Sequence, residues 1–309
     1  MEAVLGVTSF QRNNMMQTPV GIVGLGNAGA AMATALSGQV PLLGFDVNPD
    51  RQHVVGSLRL EWATALSDLA SRASIVVLSL PHPDISKAVL AELLQAEQRP
   101  GLIIETSTIT GQVAQELGAM CQARQVSFVD AAIASGVASM AAGKITFLVG
   151  GEPDAVVKAH PVLEAMAESI MHLGPVGAGM GAKIVINAVV HAVMVVLIEA
   201  GAMATRLGLP MQTLVDILRR PEGLIRPLTH RVQERMMHGN YAGGMSVSNA
   251  RKDSTLALET AQALGIPLYA IQAAHTPYEI AEALGMGSLD YAALATLWEQ
   301  WTGVQFTQP

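Results

Sequence analysis

The chain has 309 residues and a mass of 32.3 kDa, about twice the usual domain length, so two domains are expected. Half of the residues are hydrophobic and 14% are charged, against roughly 25% in an ordinary soluble domain, a composition that excludes a disordered chain. Eighteen Lys and Arg against 25 Asp and Glu give a net charge of -7 and a pI near 5.6, the wrong sign for a phosphate-tracking surface, so nucleic acid is not an expected partner.

Residues 1–17 begin with an acid and lack a basic stretch ahead of an apolar one, so they read as a poorly ordered leader rather than a secretory signal. From Val20 onward, short apolar runs at 20–23, 40–45, 75–80, 102–105, 126–129, 145–149 and 170–173 alternate with helical stretches such as 28–36, 84–94 and 112–123. Continuous apolar runs separated by helices predict a parallel sheet covered on both faces. The single cysteine, Cys121, can form neither an internal disulfide nor a thiolate metal cage, so no metal is expected and the composition fits a reducing cytoplasm. After Gly174-Pro175 the chain reads as helix at 180–207, 211–219, 224–238, 246–264, 268–284 and 288–301, broken by Gly and Pro. The predicted division is therefore a leader at 1–17, a first domain at 18–175 and an all-helical domain at 176–309.

A mean hydropathy of +0.38 raises the question of a membrane, and the strongest candidate is IVINAVVHAVMVVLI at 184–198. Fifteen helical residues span roughly 22 Å, short of the roughly 30 Å hydrocarbon layer, and Asn187 and His191 interrupt the run. The expectation is a helix buried on nearly all sides within the protein, with His191 a satisfied core histidine and no membrane.

The strongest local motif is GLGNAG, Gly24, Leu25, Gly26, Asn27, Ala28 and Gly29, directly after the first strand and opening the first helix. Gly24 permits a tight turn, Gly26 lets the backbone approach a pyrophosphate, and Gly29 allows the helix to pack on the strand; the helix N-terminus adds free N–H groups and a positive dipole. Asp46 ends the second apolar run 22 positions after Gly24, the spacing of a carboxylate that accepts the adenosine ribose hydroxyls. Such a carboxylate repels a 2′-phosphate, so NAD is expected over NADP, although Arg51 stands close in sequence. Leu80-Pro81 and the segment 105–108 close two further strands where a doubly wound sheet holds its ligand. That places Leu80, Pro81 and the Thr108 hydroxyl toward the nicotinamide half, with a helix cap as the alternative duty of Thr108.

At this point the chain resembles the β-hydroxyacid dehydrogenase family, the group of 3-hydroxyisobutyrate dehydrogenase and tartronate semialdehyde reductase, from residue 19 onward. Four ordered blocks carry the likeness: GIVGLGNAGAAMATAL, FVDAAIASGVASMAAGKITFLVGG, GAGMGAKIVIN and ARKDSTLAL. The resemblance implies a Rossmann-type doubly wound α/β domain followed by an all-α domain joined through a long helix, and an NAD-dependent hydride transfer on a small 3-hydroxy acid or its semialdehyde. Separately from the resemblance, an all-helical second half with an apolar helix of roughly 28 residues is more naturally covered by subunit contacts than by one monomer's surface, so a cytoplasmic homodimer or homotetramer is expected. The catalytic role falls on Lys183, with Asn187 one turn later on the same helix face. A neutral amine can take the hydroxyl proton as the hydride leaves, and the ammonium can return it. Asn187 would hold the substrate, with Ser107, Ser135 and Gly136 orienting it, and Lys252 of the last block would reach over the cofactor. For Asp253 a helix-internal bond and a substrate role stay open.

The family's substrate block usually reads DAPVSGG, whereas this chain has Asp130-Ala131-Ala132-Ile133-Ala134-Ser135-Gly136. Aligned without a gap, the carboxylate-binding serine becomes Ala134. Ala28 replaces a common methionine, and the three residues Ala28, Ala132 and Ala134 are expected to widen the pocket toward a bulkier or more apolar acid. An imine reductase-like enzyme and a non-catalytic dinucleotide-binding protein are the competing readings.

Overall fold

The computed structural model describes residues 18–307; the expected leader, residues 1–17, lies outside them. Contacts divide the chain into two compact units, one ending at Asn187 and the other beginning at Ala188.

The first unit is built on an eight-stranded sheet: β1 (Val20–Val23), β2 (Leu42–Phe45), β3 (Leu60–Trp62), β4 (Ile75–Leu78), β5 (Leu102–Glu105), β6 (Ser127–Ile133), β7 (Ile145–Gly151) and β8 (Ala167–Gly174). The strand order is β3-β2-β1-β4-β5-β6-β7-β8, and every pair is parallel except β6 with β7. Helices α1 (Asn27–Leu36), α2 (Arg51–Val54), α3 (Leu66–Arg72), α4 (Pro83–Gln95), α5 (Gly111–Gln122), α6 (Val137–Ala141) and α7 (Pro153–Glu164) complete it. The apolar runs are continuous because both sheet faces are covered. Ile22, Val77 and Ile104 enter one core layer while Val23, Val76, Leu78 and Ile103 enter the other, and all are buried. Burying a branched aliphatic side chain contributes about 1.5–3 kcal/mol, so these alternating layers hold the sheet.

Two features depart from the predicted parallel sheet. Strand β3 went unpredicted because three residues with partly exposed Leu60 and Trp62 make no apolar run. The antiparallel pairing of β6 and β7 follows from the connection: residues 134–144 hold only the five-residue α6, short of the dozen or more residues a parallel crossover needs.

The second unit continues the long helix α8 (Ala178–Arg206), followed by α9 (Met211–Leu218), α10 (Val247–Leu264), α11 (Tyr269–Ala283) and α12 (Ala295–Thr302). The predicted helix at 224–238 is instead a wide π-helical segment, Pro227–Gln233, and a short 3-10 turn, Met236–His238. Buried Asp290 lies beside Arg231 at 3.2 Å and Arg235 at 3.6 Å, and Arg231 also stacks over the Tyr291 ring, which anchors this irregular stretch. The α10 start is fixed by Ser246, whose hydroxyl accepts from Asn249 N, and its end by Gly265 in a left-handed conformation.

The expectation of a helix buried on nearly all sides is overturned for α8. Val185 is 65% exposed, Val189 57%, Val190 56% and Ile198 59%, and His191 is exposed rather than a core residue. Apolar side chains on several sides of this 29-residue helix are left uncovered. Among the described residues α8 is the one helix long and apolar enough to cross a membrane.

Candidate active site

The glycine loop obeys the stereochemistry that its spacing demands. Gly24 has φ +89°, a region closed to most side chains, and a Cβ there would strike the Ser79 carbonyl; one on Gly29 would strike the Gly24 carbonyl. Gly26 differs, because a Cβ there meets nothing within 4 Å, so its backbone faces open space. Gly26 is also the N-cap of α1 and offers no side-chain acceptor, which leaves the first-turn N–H groups available to an anion. Buried Leu25 donates its N–H to Asp46 Oδ2 at 2.7 Å, while Oδ1 accepts from Asn48 N at 2.9 Å. Asp46 therefore ties the glycine loop to the end of β2 and keeps its remaining lone pairs toward the cleft.

That cleft has a volume of about 460 Å³, and Gly24, Gly26, Asn27, Ala28, Asp46, Leu80 and Pro81 all line it, as does Arg51. Open glycine backbone, an uncapped helix N-terminus and a carboxylate at the end of β2 fit a dinucleotide's pyrophosphate and ribose. Gly29 and Leu25 shape the loop from behind instead.

At the adjoining strand ends the hydroxyls are engaged with the protein. Ser107 is buried; its Oγ accepts from Leu80 N at 2.8 Å, and its own N–H donates to Glu105 Oε1 at 2.7 Å. Thr106 Oγ1 donates to Leu78 O at 2.6 Å. The helix cap open to Thr108 falls to Thr110, whose hydroxyl accepts from Val113 N, and Thr108 is left exposed. Ser135 Oγ accepts from Thr146 N at 2.9 Å and so pins the β6–β7 end, while exposed Gly136 caps α6. The widened pocket is corrected in one respect. Ala132 is 1% exposed and packed in the core, so it opens no space; Ala28 lines the cleft and Ala134 is half-buried against the core.

Sequence reasoning gave Asp130 no role, yet it organises the site. Fully buried on β6, it accepts from Gly177 N at 2.7 Å and Met180 N at 2.9 Å, capping the start of α8. Burial pushes its carboxyl above the usual carboxylate range, and these backbone N–H groups act against that shift. Close approach is possible because Gly150 and Gly179 lack side chains; a Cβ on Gly150 would lie 2.5 Å from Asp130 Oδ1. Lys183 and Asn187 follow on α8, four residues apart and both half-buried. An acid ending a buried apolar run was the available signal.

In the second unit Lys252 lies on α10, exposed, with its ammonium 3.1 Å from Asp253. Asp253 pairs with this neighbour and is itself exposed. On the same helix Ser254 meets His275 Nδ1 at 2.6 Å, and His275 Nε2 lies 2.8 Å from Glu279, which also receives Arg251 at 2.8 Å. These contacts fasten α10 to α11.

A doubly wound sheet with this glycine loop, followed by a helical unit that opens on a long apolar helix, defines a dinucleotide-binding oxidoreductase architecture. Residues 19–174 match the model of the NAD binding domain of 6-phosphogluconate dehydrogenase, and residues 177–298 match that of the NAD-binding domain of NADP-dependent 3-hydroxyisobutyrate dehydrogenase. The chain belongs to the β-hydroxyacid dehydrogenase family. It is 33% identical over 254 residues to the NAD-dependent L-serine dehydrogenase of Pseudomonas aeruginosa, covering 79% of this chain and 85% of that protein. It is 30% identical over 293 residues to the mitochondrial 3-hydroxyisobutyrate dehydrogenase of Mus musculus, covering 92% and 88%. The solved imine reductase from a Pseudomonas species superposes with a TM-score of 0.82 at 20% identity, covering 91% and 99%, a likeness of fold alone.

Replacing Asp130 with Ala strands the Gly177 and Met180 N–H groups and is expected to cost about 2–4 kcal/mol, read as a lower urea midpoint, with Asp130→Asn recovering part of the loss. A midpoint equal to the parent's would show that the cap contributes nothing.

Proposed function

We propose that the protein is an NAD-dependent dehydrogenase of small 3-hydroxy acids, working reversibly against the semialdehyde or keto acid, with Lys183 as general acid/base. The observation that carries this reading is the placement of Lys183 and Asn187 on one face of a helix whose start is held to the sheet by Asp130. A bound nicotinamide ring would supply the hydride acceptor. Lys183 Nζ takes the hydroxyl proton in oxidation and returns it in reduction, and Asn187 holds the substrate through its amide. Ser135 keeps a hydroxyl proton free to donate, because the Thr146 N–H occupies it as acceptor. Ala134 in place of a serine supports a substrate with less demand for a polar contact there.

Support for NAD comes from Asp46, whose carboxylate would meet a 2′-phosphate with like charge. Arg51 in the same cleft is the counterweight. Support for self-association comes from the exposed apolar face of α8. We infer that a second copy covers it, as a homodimer or homotetramer, because Asn187 and His191 on this helix are costly in lipid but tolerable at a protein interface.

Three outcomes are expected. A panel of 3-hydroxy acids assayed by NADH formation identifies a substrate, and Lys183→Ala lowers kcat by about a hundredfold or more with little change in NADH affinity; normal turnover in the variant, or turnover of cyclic imines alone, rejects the proposal. Wild type prefers NAD over NADP in kcat/KM, and Asp46→Ser cuts that preference by about tenfold or more; an NADP preference in the wild type contradicts it. Light scattering in detergent-free buffer gives a multiple of 32.3 kDa, and Val189→Glu shifts the mass toward one chain, whereas a monodisperse wild-type monomer excludes the inferred interface.

A further inference from the structure

Glu105 is the one carboxyl at the end of β5, wholly buried, and the chemistry assigned to Lys183 leaves it unused. It stands in register between Leu78 of β4 and Asp130 of β6. Its Oε1 accepts from Ser107 N at 2.7 Å, and Ser107 Oγ accepts in turn from Leu80 N at 2.8 Å. Because Ser107 Oγ receives the Leu80 N–H, its own proton is free to turn toward the Glu105 carboxyl. Glu105 Oε2 and the buried Ser86 Oγ of α4 complete no hydrogen bond, and Ser86 is near enough for its dipole to act on the carboxyl.

We propose that Glu105 is a positioning residue: through Ser107 it holds the backbone of Leu80 and Pro81 at the wall of the dinucleotide cleft. The inference rests on the dinucleotide reading of that cleft, which Leu80 and Pro81 line. The chain could have closed β5 with an aliphatic residue, as it closes β4 with Leu78. An aliphatic side chain would leave the Ser107 N–H without its acceptor and free the serine from the strand end, so the Leu80 N–H would lose a fixed partner.

The protonation state of Glu105 also bears on stability. Burial is the main cause that raises its carboxyl to about 7, with the charge of Asp130 adding to it; the hydrogen bonds from Ser107 and the dipole of the nearby Ser86 hydroxyl pull the other way. Among the described residues Asp130 is the charged group that acts on it, α4 presents Ser86, and β4 presents Leu78. Below that pH Glu105 is a neutral acid beside Asp130, whose own carboxyl burial also raises. Above it, two carboxylates face each other on neighbouring strands with no cation between them. Since the folded pKa lies above the ordinary one of 4.5, the associated stability is complete below about 4.5 and is lost as pH rises through about 7.

The test compares wild type, Glu105→Gln, Glu105→Ala and Ser107→Ala in two measurements: NADH affinity by fluorescence titration, and the thermal midpoint without dinucleotide from about pH 5.5 to 8.5. Glu105→Ala and Ser107→Ala should weaken NADH about tenfold, and Glu105→Gln, which keeps the acceptor oxygen, should recover most of it. The wild-type midpoint should fall through about pH 7 relative to Glu105→Gln. Wild-type NADH affinity in Ser107→Ala, or a shared pH dependence in wild type and Glu105→Gln, overturns the assignment. A wild type that binds no NADH refutes the cleft reading itself. Neither measurement involves Lys183, so full turnover by Lys183→Ala removes the acid/base proposal and leaves this one standing.

Discussion

The buried carboxylate of Asp130 is the contact on which the candidate site depends. It reaches from β6 to two backbone N–H groups at the start of α8, and the helix that follows carries Lys183 and Asn187. A charged group taken out of water costs several kcal/mol unless its lone pairs are satisfied. Here a helix start satisfies them, because its first N–H groups lack partners and its dipole favours an anion. The same arrangement constrains the neighbours: Gly150 and Gly179 must be glycine for sheet and helix to come this close. The carboxylate excludes a side chain at 150, and the Leu148 carbonyl excludes one at 179.

The cofactor side follows the same logic with another acid. Asp46 is usually read as a ribose ligand, but in this chain it also takes the Leu25 N–H and so sets the curvature of the glycine loop. Its two duties are compatible because each carboxylate oxygen has a second lone pair. Glu105 repeats the pattern at β5, where the bonded partner is the turn that follows its own strand. Asp46 just past β2, Glu105 at the end of β5 and Asp130 within β6 each accept a backbone N–H of a loop or helix start near the candidate site.

How much of this could be read in the sequence varies with the physics. The glycine loop was legible because Gly24 and Gly29 occupy positions where any Cβ collides with a carbonyl, so residue type reports conformation directly. Most strands were legible because both faces are covered and the apolar runs are unbroken. Strand β3 was not, since three partly exposed residues carry no pattern, and the direction of β7 was not, since hydrophobicity is blind to strand polarity. The hydroxyls of Ser107 and Ser135 were given to substrate on likeness alone; which atom a hydroxyl meets depends on tertiary contacts 11 and 27 residues away in sequence. Lys183 and Asn187 could be placed on one helix face from their spacing, but not the cap that holds that helix, because Asp130 and Gly177 are 47 positions apart.

The apolar helix carries the last step. A composition rich in aliphatic residues was first explained by a helix buried within its own chain, and the exposure of Val185, Val189, Val190 and Ile198 removes that explanation. Hydrophobic side chains at this density along one helix are stable in water only when something covers them. The polar positions discriminate among the possible covers. Lys183 and Asn187 fall near the end held by Asp130, and His191 falls one turn beyond. A lipid environment would charge a desolvation cost for each of these side chains, whereas a second protein surface can leave polar positions hydrated or hydrogen-bonded while covering the valines. The segment with the strongest membrane signature thus joins polar side chains at its sheet-held start to an exposed apolar surface along its length.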